Sequence, residues 1–257
     1  MTYSKIVFLT GCNGQLGTSI SKTFSESNWK VCGMDLAADT SNHYLSFYQS
    51  FSVLSRTDFS AFFIDAINHL KLKRVSQLCL INNAGVAVFT PSEERTLEEF
   101  DLVARVNLLG PIFGITEFKK FVNDSSECYR FRDAFKSIIN IASIYGIQSP
   151  NPSIYTDTAR NSSEIYGATK AGLIQMTKYF AVHYANIPIS VNCIAPGGIL
   201  NEDVQGSEFI QNYSHLVPMN RLCSDTELAR TCLFVADSGV EYLSGQTISL
   251  DGGMSSW

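Results

Sequence analysis

The chain has 257 residues, 45% hydrophobic and 17% charged, with a net charge of −5. Its length and apolar content support one large α/β domain with a sizeable core, while the acidic balance and the absence of a basic cluster argue against a nucleic-acid partner. No stretch approaches the roughly 18 apolar residues that span a bilayer, and Met1 to Thr10 lacks the basic start and apolar run of an export signal, so a cytoplasmic protein with no membrane partner is expected.

Lys5 to Thr10 is a β-branched and aromatic run ending in Gly11-Cys-Asn-Gly14-Gln-Leu-Gly17, after which Ile20 and Phe24 open a helical period. In a strand, glycine turn and helix of this kind, a pyrophosphate can rest against the N–H groups at the helix start, where the dipole favours negative charge. Gly11, Asn13, Gln15, Leu16 and Gly17 are therefore candidate dinucleotide contacts. A second strand, Trp29 to Met34, stops at Asp35, 18 residues after Gly17. A carboxylate there, with Leu36 beside it, suits the adenosine ribose hydroxyls and repels a 2′-phosphate. NAD(H) is thus favoured over NADP(H), which is not excluded; the alternative is a solvent-facing turn residue before Leu36-Ala-Ala.

Residues 37–56 have little period, and a third strand is expected to end near Ser52-Val-Leu54. Asp58 to Leu72 is an amphipathic helix with Thr57 or Asp58 as cap, its apolar face formed by Phe59, Phe62, Phe63, Ala66, Ile67 and Leu70. Gln77 to Ile81 is a buried strand running into Asn82-Asn-Ala-Gly85, which puts Asn83, Ala84 and Gly85 where open α/β sheets bind ligands. Ser92 to Phe121 reads as one long helix begun by a Ser-x-x-Glu-like cap. Asn107 lies inside it, either facing solvent or, among Val103, Val106, Leu108 and Leu109, as a buried amide with a polar task.

Lys136 to Ala142 is a strand that delivers Ser143 at its carboxyl end. Gly146 to Ile165 carries Pro150 and Pro152 and no period, and so is expected to be a loop serving as lid or substrate wall. Tyr166-Gly-Ala-Thr-Lys170 then opens a helix that places a phenol and an ammonium one turn apart on one face. Ile187 to Ala195 is a sixth strand, stopping at Pro196-Gly-Gly198. Residues 199–222 form a flap, with a mobile helical stretch expected over Asn201 to Leu222. Asp225 to Ala236 is a helix capped by Ser224 or Asp225, and Gly245 to Gly253 is a final strand with its turn. Seven strands alternating with helices predict a Rossmann-type, doubly wound parallel seven-stranded sheet in a single domain. The seven cysteines are scattered and never spaced as C-x-x-C, which argues for inert packing and against a disulfide framework or a metal site.

Five landmarks stand in one order: Thr10 to Gly17, Asn82-Asn-Ala-Gly85, the strand ending at Ser143, Tyr166-x-x-x-Lys170, and Pro196-Gly197. Together they resemble the short-chain dehydrogenase/reductase family over nearly the whole chain. The closing Gly245-Gln-Thr to Asp251-Gly-Gly253 run is similar to the 3-oxoacyl carrier-protein reductase branch. The resemblance implies a catalytic group of Asn107, Ser143, Tyr166 and Lys170. Tyr166 would be the acid or base, Ser143 would hold the substrate oxygen, Lys170 would neighbour Tyr166 and the nicotinamide ribose, and Asn107 would anchor a relay water. It also implies that Asn83, Ala84 and Gly85 line the adenosine side, that Pro196, Gly197 and Ile199 pack near the nicotinamide, and that the chain forms a homotetramer or homodimer.

Three features depart from that branch. Gln15 occupies a usual glycine position, 23 residues separate Ser143 from Tyr166, and Leu200 and Asn201 stand where a threonine normally follows Pro-Gly. The first two resemble extended, sugar-nucleotide-modifying members, and the mixture is similar to reductase-like proteins of flagellin-glycan and nonulosonate pathways. The implied activity is NAD(P)-dependent interconversion of an alcohol and a carbonyl on a small molecule. A sugar or sugar phosphate is the preferred substrate, with Asn151, Ser153, Thr156, Asp157 and Asn161 offered by the loop as hydroxyl-binding groups. The alternatives are a 3-oxoacyl carrier-protein reductase and a catalytically idle dinucleotide-binding sensor or scaffold.

Overall fold

In a computed structural model that describes residues 4–124, 126, 128–156 and 162–256, the strands form one sheet. They are β1 (Ser4–Thr10), β2 (Trp29–Asp35), β3 (Phe47–Ser50), β4 (Val75–Asn82), β5 (Phe135–Ile141), β6 (Ile189–Pro196) and β7 (Thr247–Leu250), parallel throughout, in the order β3-β2-β1-β4-β5-β6-β7. The helices are α1 (Gln15–Glu26), α2 (Arg56–Leu70), α3 (Leu97–Ala104), α4 (Gly110–Asp124), α5 (Glu164–His183), α6 (Ser207–Leu216) and α7 (Asp225–Ala236). The expected Rossmann-type architecture is the one observed. Chain order reverses at β1, whose neighbours are β2 and β4, so the crevice at their carboxyl ends is the natural ligand site.

A parallel strand covered on both faces must be apolar on both, and β1 meets this residue by residue. Ile6 and Phe8 enter a core with α2 and α4, while Val7 and Leu9 enter another with α1 and α7. Phe8 meets Phe62, Phe63, Phe118 and Phe121 edge-on, with ring centroids 4.9–6.4 Å apart. Each such pair adds about 0.5–1.5 kcal/mol beyond the area it buries. The first core anchors the sheet on the side from which α5 approaches, through Phe180. All seven cysteines are free thiols, and burial raises the pKa of Cys12, Cys32, Cys79, Cys193 and Cys232. Among the described residues no helix is long and apolar enough to cross a membrane, and no His/Cys/Asp/Glu cluster could hold a metal ion.

Several local expectations are corrected. The third strand ends at Ser50, before Ser52-Val-Leu54, because Phe51 N makes the last bond to Asp35 O and Asp58 Oδ2 then draws Ser52 N into a turn. α2 starts at Arg56 with Ser55 as its cap, accepting from Asp58 N, so neither Thr57 nor Asp58 caps it. The single helix expected over Ser92 to Phe121 is in fact four pieces, the first a 3-10 turn over Ser92–Glu94. A capping box of Thr96 and Glu99 starts α3, and a π turn over Arg105–Leu109 joins it to α4. The α-helical donor to the Asn107 carbonyl would be the N–H of residue 111, and Pro111 has none, which explains the widened turn. The stretch over Asn201 to Leu222 contains α6, whose Phe209 and Tyr213 pack with Ile144, Ile154 and Met254.

Candidate active site

The glycine turn is shaped by close approaches that leave no room for side chains. Gly11 has φ +66, and a Cβ there would lie 2.8 Å from Ala84 Cα; a Cβ on Gly17 would lie 2.1 Å from Gly11 O. α1 begins behind Gly14 with no side-chain cap and no acidic residue in its first turn, so its leading N–H groups remain open to an anion. Thr10 stitches the turn to the segment after β4: its Oγ1 accepts from Asn83 N at 3.1 Å and Ala84 N at 3.0 Å. Asn83 Nδ2 donates in return to the carbonyls of Thr10 and Gly11. Asn83 Oδ1 is buried without a hydrogen-bond partner, on a residue that lines two adjoining cavities.

The first of these cavities, about 630 Å³, runs over Gly11, Asn13 to Gly17, Asp35, Leu36 and Asn83 to Gly85. Both oxygens of Asp35 accept backbone N–H bonds, Oδ2 from Asn13 at 3.0 Å and Oδ1 from Leu36 at 2.8 Å. The carboxylate is therefore fixed at the cavity edge by two backbone donors. Ser52, Val53 and Leu54, which the sequence places in a strand, form the far wall. An open helix N-terminus, a side-chain-free cradle, an anchored carboxylate and an orphaned buried acceptor together suit a dinucleotide.

The second cavity, about 360 Å³, opens beside the first and holds Ser143, Tyr166 and Lys170 with Pro196, Gly197 and Ile199. Ser143 sits one residue beyond Ala142, whose N–H still bonds to Ile194 O of β6. Ser163 caps α5 by accepting from Tyr166 N, which sets Tyr166 in the first turn. Deeper in, Asn82 Nδ2 donates to Asn140 Oδ1 at 2.8 Å, and Asn140 Nδ2 donates to Thr177 Oγ1 at 2.9 Å. This buried chain ties β4 and β5 to α5 and holds the helix in register; fully satisfied buried networks of this kind are rigid.

Lys170 Nζ lies 5.6 Å from the centre of the Tyr166 ring and donates to Ile141 O at 2.7 Å. Burial pulls the Lys170 pKa from 10.5 down to about 8, against an opposing pull from Cys193. Burial also raises the Tyr166 pKa, partly countered by a hydrogen bond with the Ser143 hydroxyl. At neutral pH the site thus holds a neutral phenol beside a cation, the arrangement of a proton donor. Asn107 is 1% exposed, and its amide is committed on both atoms to Val86, accepting from Val86 N and donating to Val86 O at 2.8 Å each.

Ser143, Tyr166, Lys170, Pro196, Gly197 and Ile199 line the catalytic cavity, the named residues of the glycine turn, Asp35 and Leu36 line the dinucleotide cavity, and Asn107 lies behind Gly85 and Val86. The loop behaves differently. Asn151 caps a short turn by accepting from Ser153 N, and Thr156 donates to Glu208 Oε1 while accepting from Asn212 Nδ2, so it joins the loop to α6. None of these three lines the cavity; Asp157 and Asn161 lie outside the described residues. The loop residues that do line it are Tyr155, Ser162 and Ser163, joined by Phe89, Tyr145, Phe209 and Tyr213. The sequence signal for this aromatic wall is slight: Tyr145 follows Ser143 closely, but Phe209 and Tyr213 come from a segment some 45 residues beyond Tyr166. Likewise, the sequence marks Thr10 as a strand end and the first residue of the glycine landmark, and nothing in it assigns the bonds its hydroxyl accepts.

A family model described as an enoyl-(acyl carrier protein) reductase matches residues 14–255. An uncharacterised oxidoreductase of Schizosaccharomyces pombe is 30% identical over 97% of this chain and 90% of its own length. A post-translational flagellin modification protein A of Campylobacter coli is 25% identical over 98% of this chain and 99% of its own. Among solved structures, a short chain dehydrogenase of Leptospira borgpetersenii with bound NAD+ superposes with a TM-score of 0.82 at 32% identity, covering 98% of this chain and 93% of that one.

Proposed function

Because the chain belongs to the short-chain dehydrogenase/reductase family of oxidoreductases, we propose that it interconverts an alcohol and a carbonyl on a small neutral molecule, with NAD(H) held in the larger cavity. The observation that carries this reading is the convergence of Ser143, Tyr166 and Lys170 on one cavity that opens onto the dinucleotide cleft. A bound nicotinamide would supply or accept the hydride. The chain's own residues manage the rest. Ser143 orients the substrate oxygen and, through its hydrogen bond, partly offsets the rise that burial imposes on the Tyr166 phenol; Tyr166 gives the substrate oxygen a proton or takes one from it, and a cation at Lys170 would favour the phenolate left behind. With the Asn107 amide engaged by Val86, a relay water would fall to its carbonyl in the π turn.

Asp35 supports NAD(H). Its carboxylate would accept from ribose hydroxyls and repel a 2′-phosphate. Replacing Asp35 with Ala frees the N–H groups of Asn13 and Leu36, which then offer a phosphate two donors. The preference for NADH over NADPH, measured as a ratio of dissociation constants, should fall by about 10- to 100-fold. A wild-type preference for NADPH would overturn the assignment.

Lys170 is the one charged side chain among the described residues that line the catalytic cavity, and Phe89, Tyr145, Tyr155, Phe209 and Tyr213 give its wall an aromatic part. Aromatic faces and phenolic hydroxyls suit a neutral sugar ring better than a phosphorylated one. The sugar-derived substrate is the one that the sequence resemblance to reductase-like proteins of flagellin-glycan pathways implies, and a flagellin modification protein is among the relatives. A carrier-bound acyl substrate is the second reading, favoured by the description of the family model. NADH oxidation followed with neutral keto-sugars, their phosphates and a short 3-oxoacyl thioester separates these readings, and turnover only with the thioester would replace the first by the second.

The pH profile tests the proton-donor assignment. As pH rises through about 8 Lys170 loses its charge, the phenol becomes a weaker acid, and kcat for carbonyl reduction should decline about tenfold per pH unit at the limit. Lys170→Met should be slower at pH 7 and lack this limb. The cofactor-free protein carries the matching stability signature. An unfolded lysine binds its proton up to about 10.5 while the folded one releases it near 8, so the unfolded state holds more protons between these values and stability rises with pH across that window.

A further inference from the structure

Two of the departures noted in the sequence touch each other. Gln15 Nε2 donates to Leu200 O at 2.7 Å, and Gln15 Oε1 accepts from Asn201 Nδ2 at 2.9 Å. One amide side chain at the start of α1 thus grips both the backbone and the side chain of the segment that follows Pro196-Gly197. That segment is braced from behind. Leu200 N donates to Cys223 O, Gln205 Nε2 donates to Ile199 O at 2.8 Å, and Gln205 Oε1 accepts from Asn201 N at 2.9 Å. The arm is therefore held in shape by its own bonds, and the contact with Gln15 is the separable one, lying at the solvent-exposed rim.

Its position gives it a task. Gln15 lines the dinucleotide cavity, Ile199 lines the catalytic cavity, and Leu16 lines both, so the bridge spans the cleft where the two spaces meet. The side chain of Gln15 is occupied with this bridge and leaves anion binding to the open N–H groups of the helix start. We propose that Gln15 and Asn201 form a clasp across the dinucleotide cleft that positions bound NAD(H) and must open for it to leave. The proposal rests on the NAD(H) reading above. Two neutral, solvent-exposed hydrogen bonds are weak enough to open at each exchange and strong enough to slow it.

Stopped-flow fluorescence of bound NADH, chased with excess unlabelled NAD+, measures the release rate of wild type, Gln15→Ala, Asn201→Ala and the double variant. Gln15→Ala removes both bonds and should raise the release rate about 5- to 10-fold. Asn201→Ala removes one and should raise it less. The double variant should release no faster than Gln15→Ala, since the two residues act through one contact. Release from Gln15→Ala at the wild-type rate, or effects that multiply in the double variant, would overturn the clasp. A wild-type protein that binds no NADH would overturn the cofactor reading and the clasp with it, so the two failures are told apart by the wild-type trace.

Discussion

Replacing Tyr166 with phenylalanine should lower kcat for carbonyl reduction by about 10³-fold or more while leaving the NADH dissociation constant within about twofold of wild type. The substitution removes one oxygen from a side chain that the fold already holds. Ser163 still caps α5 at the Tyr166 N–H, and Lys170 remains tied to Ile141 O. The ring keeps its place in the cavity wall. What disappears is the proton donor at that point and one partner of the Ser143 hydroxyl, which keeps the bond it accepts from Tyr145 N. The neighbouring tyrosines cannot substitute. Tyr145 is pushed to a higher pKa by burial and by Tyr155, and Tyr213 is pushed up to about 12 while accepting from Gly198 N. Single-turnover reduction of a keto-sugar with pre-bound NADH isolates the chemical step, and retention of more than a tenth of the wild-type rate would reject Tyr166 as the proton donor.

The parts of this site that were legible in sequence share a physical property: each is specified within a few neighbouring residues. Strand, glycine turn and helix stand together in Lys5 to Phe24, and a carboxylate at a strand end is a local pattern at Asp35. The one-turn spacing of Tyr166 and Lys170 follows from helical geometry. What was not legible depends on side chains meeting from distant segments. Nothing near Thr156 indicates that its hydroxyl is taken by Glu208 and Asn212, so the sequence alone offers it as a substrate-binding group. The same holds for Gln15 and Asn201, which lie 186 residues apart and each looked like an isolated deviation. Pro111 is the exception. It lies four residues after Asn107, and the missing N–H was available in the sequence as a reason for the long helix to break.

Boundaries failed where a capping side chain competes with apolar period. At Ser55 and at Thr96 a hydroxyl takes a backbone N–H three residues on, and this local bond, worth about 1 kcal/mol, outweighs the weaker preference that placed the helix starts elsewhere. The third strand shows the opposite competition. Val53 and Leu54 are apolar and β-prone, yet they leave the sheet to wall the dinucleotide cavity, because the turn at Ser52 is held by Asp58.

The glycine turn yields the sharpest structural contrast. Gly17→Ala puts a Cβ 2.1 Å from Gly11 O and 2.7 Å from Cys12 Cα, both backbone atoms that cannot rotate aside. Relief requires α1 to move off the turn, which disrupts the packing of Ile20 and Phe24 in the core beneath it and tilts the open N–H groups away from the cleft. Overpacking of this kind costs about 1–3 kcal/mol or more, a fall of several degrees in Tm, and NADH affinity should drop by about 100-fold or more because the anion site is built from the displaced backbone. Gly14→Ala is the control. Its Cβ would meet only Gly11 O, at 3.7 Å, with φ at −71, so Tm should stay within about one or two degrees of wild type. Thermal unfolding and NADH titration of the two variants side by side decide the matter: equal behaviour would mean that the close approach of α1 to the turn does not shape the cleft.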